Sequence, residues 1–179
     1  MKILHVVGGS PYNGAYLGAR ILHEALLEKG VNSTILNDSN FKSKSFISSD
    51  HSKNTYFINN NLYKIILNKI FVITEKILKT IFLPTPRSTF TIGILGFDIT
   101  KTNEYKNADL IHIHWLNQGF INLKSLSKIN KPLLWTLRDM WAFTGGSHYN
   151  TDFEKYEKSF FYNKFKKFKK KCYNNNFHF

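Results

Sequence analysis

Short apolar runs alternate with helical periodicity over the first 36 residues of the chain. Residues 2–7 form an apolar run that ends in two glycines, which is typical of a buried parallel strand. Residues 15–29 then show a helical pattern whose apolar positions share one face, at Leu17, Ile21, Leu22, Ala25 and Leu26. Gly30 is placed to end this helix in the left-handed conformation, and residues 33–36 are a second strand. This order predicts an α/β fold with a parallel sheet flanked by helices.

A second unit of the same kind lies nearer the carboxyl end of the chain. Residues 110–113 and 133–136 are apolar runs, and a helix-like stretch over residues 123–129 separates them. The two strand ends carry polar and aromatic residues, namely His112, His114, Trp115, Arg138, Asp139 and Trp141. Open α/β sheets bind ligands beyond the carboxyl ends of their strands, so these residues are candidates for a site.

The segment between the two units combines a polar stretch with a strongly amphipathic one. Residues 37–60 are rich in Ser, Asn and Lys and predict a solvated loop. Residues 62–83 predict a helix whose apolar stripe contains Leu62, Ile66, Ile70, Ile73, Ile77 and Ile81. Two interpretations are open, since the helix could pack its stripe on the sheet or lie with it on a membrane surface.

Composition limits the class of protein more than it identifies the function. The 179 residues predict one domain over residues 1–156, and 42% hydrophobic content argues against a disordered chain. The net charge of +13 favours anionic partners. Cys172 is the single cysteine, which excludes an internal disulfide. Without a recognisable signal or membrane-spanning segment, the expected location is cytoplasmic, with peripheral attachment to the inner face of the membrane as an alternative.

Residues 157–179 differ in style from the rest of the chain. From residue 160 onward the segment contains six lysines and no acid. It uses only Phe, Tyr, Asn, Lys, Cys and His there, without glycine, proline or small aliphatic residues. One interpretation is a basic, solvated helix or coil, and the other is out-of-frame translation of an A/T-rich gene.

The residues alone do not specify a reaction. Gly8, Gly9 and Gly14 form either a plain tight turn or a loop that brings a helix N-terminus close to an anion. His112 and His114 are expected to face opposite sides of the sheet, and His148 has no partner at a ligand spacing. No metal site is therefore predicted, and no Ser-His-Asp or Cys-His arrangement stands out. These features indicate an α/β ligand-binding domain.

Two blocks carry a resemblance to a known family. Residues 108–122 read ADLIHIHWLNQGFIN, and residues 131–149 read KPLLWTLRDMWAFTGGSHY. Both resemble a branch of the group 1 (family 4) glycosyltransferases that builds bacterial surface polysaccharides, and residues 8–30 are similar to the opening glycine loop and helix of that family. The resemblance covers residues 1–36 and 88–156.

The resemblance implies a GT-B fold, in which two Rossmann-like domains face each other across a cleft. The N-terminal half binds the acceptor, and the C-terminal half holds a nucleotide-sugar donor without a bound cofactor or metal. The catalytic positions would be Arg138 and Asp139. The acceptor-binding residues would be Gly8, Gly9, Gly14, His114, Trp115, Asn117, Trp141, Gly145, Gly146 and His148.

Three departures from the family pattern shape the expected function. Arg138 stands where the family has a histidine, Ser147 replaces a cysteine, and the chain ends before a donor domain. The expectation is a truncated or frameshifted acceptor-side fragment, inactive by itself, whose partner is a sugar or lipid-linked sugar. The alternatives are a non-catalytic carbohydrate-binding module or one half of a split, two-chain glycosyltransferase. Specific binding of nucleic acid is not expected.

Overall fold

The computed structural model of the chain describes residues 1–10, 12–38, 54–58, 61–82, 89–149 and 160–173. The strands are β1 Lys2–Val7, β2 Asn32–Asn37, β3 Thr55–Phe57, β4 Leu110–Trp115 and β5 Leu133–Trp135. The helices are α1 Gly14–Glu28, α2 Leu62–Phe82, α3 Asn103–Asn107, α4 Leu123–Leu126 and α5 Phe160–Tyr173, with a 3₁₀ turn at Ile99–Lys101.

The five strands form one parallel sheet in the order β3-β2-β1-β4-β5. This is the order of a doubly wound Rossmann-like sheet, in which the chain changes direction between β1 and β4. His5 at the centre of β1 lies beside Ile35 of β2 and His112 of β4. The predicted α/β fold class is therefore confirmed.

The ends of α1 follow the local sequence. The side chain of Asn13 caps the helix by accepting a hydrogen bond from the Tyr16 N–H at 2.8 Å. Gly30 follows the helix with a φ of 75°, the left-handed conformation expected for the residue that ends a helix. The strands predicted at residues 2–7 and 33–36 are also present, as β1 and β2.

The face that α1 buries was predicted wrongly. Tyr16, Ala19 and His23 are the buried residues of the helix, whereas Ile21 is 63% exposed and Leu22 is also exposed. The covered part of the sheet is polar near His23, whose Nδ1 lies 2.7 Å from the hydroxyl of Ser33. The hydrogen bond decides the orientation here, because a buried imidazole needs a partner.

The other face of the sheet carries an aliphatic core. Buried side chains from β1 and β4 meet residues of α3, α4 and α5, and the cluster includes Leu4, Val6, Tyr105, Ile111, Ile113, Phe120, Leu123, Leu126, Cys172 and Tyr173. The second predicted unit is confirmed as β4, α4 and β5. Helices thus cover both faces of the sheet.

The polar segment 37–60 is not a loop throughout. Residues 55–57 form β3, which pairs with β2 and places Tyr56 beside Leu36. This part of the prediction was wrong, because a three-residue edge strand leaves little periodic signal in a polar sequence. The rest of the predicted loop, at residues 39–53 and 59–60, lies outside the described residues.

Helix α2 is present from Leu62 to Phe82 within its predicted range, but it presents its apolar stripe to solvent. The six stripe residues are between 50% and 72% exposed. Asn68 and Glu75, on the opposite face, are 0% and 7% exposed. The interpretation that the stripe packs on the sheet is therefore wrong. Residue 83, the predicted end of the helix, lies outside the described residues.

Two buried polar anchors explain this orientation of α2. The side-chain amide of Asn68 donates to the carbonyl oxygen of Gly119 at 2.8 Å. The carboxylate of Glu75 accepts a hydrogen bond from the Gly93 N–H, also at 2.8 Å. Leaving such backbone groups unpaired costs about 1–3 kcal/mol each, so both contacts favour the observed orientation.

The basic tail contributes a helix that packs on the core. In α5, Lys169, Cys172 and Tyr173 are buried, and the Tyr173 ring meets Trp135 edge-on with centroids 5.6 Å apart. A fully solvated tail is therefore excluded for residues 160–173. The out-of-frame origin stays a prediction, and residues 157–159 and 174–179 lie outside the described residues.

Candidate functional site

A cleft of about 580 Å³ opens at the carboxyl ends of β1 and β4. Its lining residues are Gly9, Ser10, Asn13, Gly14, Ala15, Thr89, Trp115, Gln118, Arg138, Asp139, His148 and Tyr149. The cleft lies at the point where the strand order reverses, which is where open α/β sheets bind their ligands. Another cavity, of about 450 Å³, lies at the opposite edge of the sheet near Lys2 and Asn32.

One wall of the cleft is the turn between β1 and α1. Gly9 and Gly14 line it together with Asn13, the residue that caps the helix. The free N–H groups of a helix N-terminus favour an anion or a hydroxyl oxygen at this position. Gly8 lies deeper, where a side chain would overlap the Phe120 ring.

Arg138 lines the same cleft from the segment that follows β5. Its guanidinium lies against Gly18 on α1, and a Cβ atom at residue 18 would overlap it. Arginine stays protonated in proteins. The residue can therefore hold a phosphate or carboxylate in the cleft, but it does not act as a proton-transfer group.

Asp139 and His148 form a pair at the base of the cleft. The His148 Nδ1 atom lies 2.6 Å from Asp139 Oδ2, and its Nε2 atom lies 2.9 Å from the Thr91 hydroxyl. Asp139 Oδ1 also accepts a hydrogen bond from the Trp141 N–H at 2.9 Å. Burial raises the pKa of Asp139. The hydrogen bond and the electrostatic interaction with His148 lower it and outweigh burial, so the pKa lies below its ordinary value. The carboxylate is held ionised.

The pairing of Asp139 with His148 was not predicted. Sequence reasoning proposed each residue separately, with one as catalytic and the other as acceptor-binding. The two residues are nine positions apart in the sequence. A turn brings them together, and within it the Met140 N–H donates to the carbonyl oxygen of His148 at 3.1 Å. No regular periodicity indicates such a turn.

Lys169 reaches beneath the site from α5 and was also missed. Its Nζ atom donates to the Trp141 carbonyl oxygen at 2.7 Å and lies 3.5 Å from the centre of the Trp141 ring. Burial lowers the pKa of Lys169 well below its ordinary value, and the negative charges of Asp139 and Glu75 partly oppose that shift. The position gave no local signal, because it is one lysine among six in the tail.

His112 and His114 face the same side of the sheet, so the expectation that they point to opposite faces was wrong. Side chains alternate along a strand with a period of two, and residues two apart therefore share a face. Their ring centroids lie 4.1 Å apart, and His5 Nδ1 lies 3.1 Å from His114 Nε2. Burial lowers the pKa of His5 and of His114 to about 3, with further lowering from His112, so both imidazoles are neutral.

These three histidines bear on the prediction that no metal is bound. One nitrogen from each of His5, His112 and His114 lies within 4.8 Å of the others. Three neutral imidazoles are a ligand set that zinc accepts, so the spacing permits a metal ion. The positive charge of Arg138 lowers the pKa of His112 and His114, after burial, and the same charge would repel a cation. His5 and His114 share one hydrogen bond, whereas His5 Nε2 and His114 Nδ1 are buried without a partner among the described residues, so the geometry leaves both a metal ion and a neutral cluster open.

The structure brings together half of the residues that the sequence nominated for a site. Gly9, Gly14, Trp115, Arg138, Asp139 and His148 line the cleft. The others lie buried behind it, namely Gly8, His114, Asn117, Trp141, Gly145 and Gly146. Trp141 is only 2% exposed, so its ring does not line the cleft as an acceptor-binding residue would. Its indole N–H instead donates to the Thr91 carbonyl oxygen at 2.8 Å.

The fold defines a doubly wound α/β domain with an open cleft at its switch point. Comparison of the chain with known protein families, with curated proteins and with solved structures found no match. The function is therefore argued from the residues of the cleft.

Proposed function

We propose that the cleft binds a sugar or a lipid-linked sugar as the acceptor side of a glycosyl-transfer site. The observation that carries this proposal is the meeting of Trp115, Arg138 and the Asp139–His148 pair in one cleft. An aromatic ring suits the apolar face of a sugar, and fixed polar groups suit its hydroxyls. The resemblance of residues 108–122 and 131–149 to family 4 glycosyltransferases supports the same function.

Each polar group has a distinct role in the proposed site. Both oxygens of Asp139 already accept one hydrogen bond, and each retains a lone pair for an acceptor hydroxyl. His148 fixes the direction of that carboxylate. Arg138 and the N-terminus of α1 suit the phosphate of a lipid-linked sugar, because both favour an anion.

The donor belongs to the complete enzyme. A nucleotide-sugar would be held by a second domain or subunit that faces the cleft, so catalysis requires both halves in register. The described residues are therefore assigned to acceptor binding. A non-catalytic carbohydrate-binding module and one half of a split enzyme are the alternative functions.

Titration of the chain with sugars and with sugar diphosphates, followed by calorimetry, tests the proposal. Replacing Asp139→Asn is expected to weaken binding of all sugars by about tenfold, because a charge-assisted hydrogen bond is lost. Replacing Arg138→Ala should weaken phosphate-bearing ligands by about tenfold and leave neutral sugars nearly unchanged. Lys106→Ala is the matched control, since this exposed lysine lies in α3, and α3 leads into the amino end of β4, away from the cleft.

The alternatives are separated by a second assay. Transfer or hydrolysis of a nucleotide-sugar by the chain alone would show a complete active site and contradict the assignment to acceptor binding only. Sugar binding without turnover, in the presence of any separately expressed donor half, would favour the binding module. A folded chain that binds no sugar at all would reject the proposal.

A further inference from the structure

Helix α2 presents a continuous apolar surface to solvent, here named the isoleucine stripe. The stripe consists of Leu62, Ile66, Ile70, Ile73, Ile77 and Ile81. These positions recur every three or four residues, so they lie on one side of the helix along its whole length. A 21-residue helix is about 32 Å long, which makes the stripe a large exposed patch.

The orientation of the stripe is fixed by contacts on the other side of the helix. Asn68 and Glu75 each make a buried hydrogen bond to the backbone, at Gly119 and Gly93. The Phe71 ring also packs edge-on against Phe97, with centroids 5.6 Å apart. Turning the stripe inward would break both hydrogen bonds, so the helix is held with its apolar side outward.

The charges on α2 indicate what covers the stripe. Lys69 and Lys76 are exposed, and they lie seven residues apart along one border of the stripe. Glu75 is the single acid of the helix, and it is buried. The exposed surface of α2 therefore combines isoleucine with lysine and carries no negative charge.

We propose that α2 docks on an anionic phospholipid bilayer and lies parallel to its surface. The isoleucine stripe enters the boundary between headgroups and acyl chains, while Lys69 and Lys76 contact lipid phosphates. The net charge of +13 adds a long-range attraction to the same surface. None of the described helices is long and apolar enough to cross a membrane.

Charge also argues against a second copy of the chain on the stripe. Two copies joined through α2 would bring four border lysines together, with no exposed acid on either helix to pair with them. Acidic lipid headgroups supply an opposite charge, and within the described part of the chain neither lysine forms an ion pair. The membrane contact goes beyond acceptor binding and does not depend on what the cleft holds.

Co-sedimentation of the full chain with vesicles tests the proposal. Binding is expected with vesicles that contain phosphatidylglycerol and not with pure phosphatidylcholine, and it should weaken as salt rises. The double variant Ile70→Asp with Ile73→Asp should lower the partition coefficient by at least about tenfold. The matched control is Ile21→Asp with Leu22→Asp on α1, which changes charge and hydropathy equally at exposed positions.

The lysines are tested separately. Lys69→Gln with Lys76→Gln should weaken binding by about tenfold, because each lysine near an anionic surface contributes to attraction. Lys101→Gln with Lys106→Gln removes the same charge from exposed positions outside α2 and should change binding only about twofold. Equal losses in both pairs would show that only net charge matters and would overturn the assignment to α2.

A direct measurement of depth keeps the proposal falsifiable even if a charged variant fails to fold. An Ile73→Trp variant should gain fluorescence that brominated acyl chains quench, whereas an Ile21→Trp variant should not. Absence of quenching at residue 73 would overturn the proposal. Sedimentation velocity tests the remaining outcome. A wild-type dimer that becomes a monomer in the double variant Ile70→Asp with Ile73→Asp would identify the stripe as an interface between copies of the chain.

Discussion

The two faces of the sheet use the same strands but differ in chemistry. One face packs Leu4, Val6, Ile111 and Ile113 into an aliphatic core. The other face lies beneath α1 and is here named the histidine face. It consists of His5, Ser33, His112 and His114, all of which are buried. The aliphatic face stabilises the domain by removing apolar area from water. The histidine face has to keep its imidazoles neutral, and it runs into the cleft through Trp115 and Arg138.

This difference indicates that the residues that stabilise the domain and the residues that lead to the candidate site lie on opposite faces of the same sheet. A buried aliphatic side chain needs only matched volume, whereas a buried imidazole needs a hydrogen-bond partner and a particular protonation state. Arg138 connects the histidine face with the cleft. Its charge lowers the pKa of His112 and His114, and its guanidinium lines the cleft.

The largest effect is expected on the aliphatic face. Ile113→Ala should lower the free energy of unfolding by about 2–5 kcal/mol, because it removes buried methyl groups and leaves a cavity. Chemical denaturation measures the change. Leu134→Ala in the neighbouring strand is the control, because Leu134 is exposed and should lose about 0.5 kcal/mol or less. Equal losses at the two positions would contradict the assignment of the core.

The next effect is the acid sensitivity of the histidine face. The pKa of His114 is about 3 in the folded chain, against an ordinary value of 6.5. Its stabilising contribution is therefore complete above pH 6.5 and is lost as the pH falls towards 3. Between pH 6.5 and 5 the loss is about 2 kcal/mol for this histidine.

Comparison with a His114→Asn variant isolates that contribution. Burial raises the pKa of Glu75 to about 7, and this carboxyl stabilises the fold as the pH falls through the same window. The wild type combines these effects with those of His5 and His112, whereas the variant loses only the contribution of His114. From pH 7 to pH 5 the free energy of unfolding should therefore fall more steeply in the wild type than in the His114→Asn variant. Parallel pH profiles would show that His114 is not held neutral.

A smaller effect is expected where α1 meets the histidine face. Ser33→Ala removes the hydroxyl that lies 2.7 Å from His23 Nδ1 and should cost about 1 kcal/mol. Thermal unfolding measures the loss, and Thr80→Ala on the exposed side of α2 serves as the control. A gain in stability at residue 33 would mean that the hydroxyl is not needed beneath α1.

The smallest change in stability is expected at Gly18. In Gly18→Ala the new methyl group overlaps the end of the flexible Arg138 side chain, which can move, so stability should change by less than about 1 kcal/mol. Binding of phosphate-bearing sugars should nevertheless weaken, because the guanidinium leaves its place in the cleft. In an Arg138→Ala background the Gly18→Ala substitution should have no further effect on binding, and an additive effect would contradict the contact.

The strands were largely predictable, and the orientation of the helices was not. The run at residues 2–7 became β1 because a continuous apolar stretch can be buried on both sides of a sheet. The stripes of α1 and α2 were equally clear in the sequence, yet Ile21 and Ile73 are exposed. A helical stripe indicates that one face is apolar, but it does not indicate which surface will cover that face.

The cleft was predictable in its location and only partly in its composition. Trp115 ends β4 and Arg138 follows β5, so their place at the edge of the sheet was expected from the order of elements. The Asp139–His148 pair depends on a turn, and Lys169 comes from a different part of the chain. Neither contact leaves a periodic pattern in the sequence.

The sequence by itself determined the strands β1, β2, β4 and β5, the positions of α1 and α2, the excess of positive charge and the ends of α1. These properties depend on neighbouring residues, such as the cap at Asn13 and the left-handed turn at Gly30. The tertiary structure decided which face of each helix is buried. The physical reason is that Asn68 and Glu75 find their partners on backbone groups far along the chain, at Gly119 and Gly93, and such distant contacts leave no trace in the helical pattern.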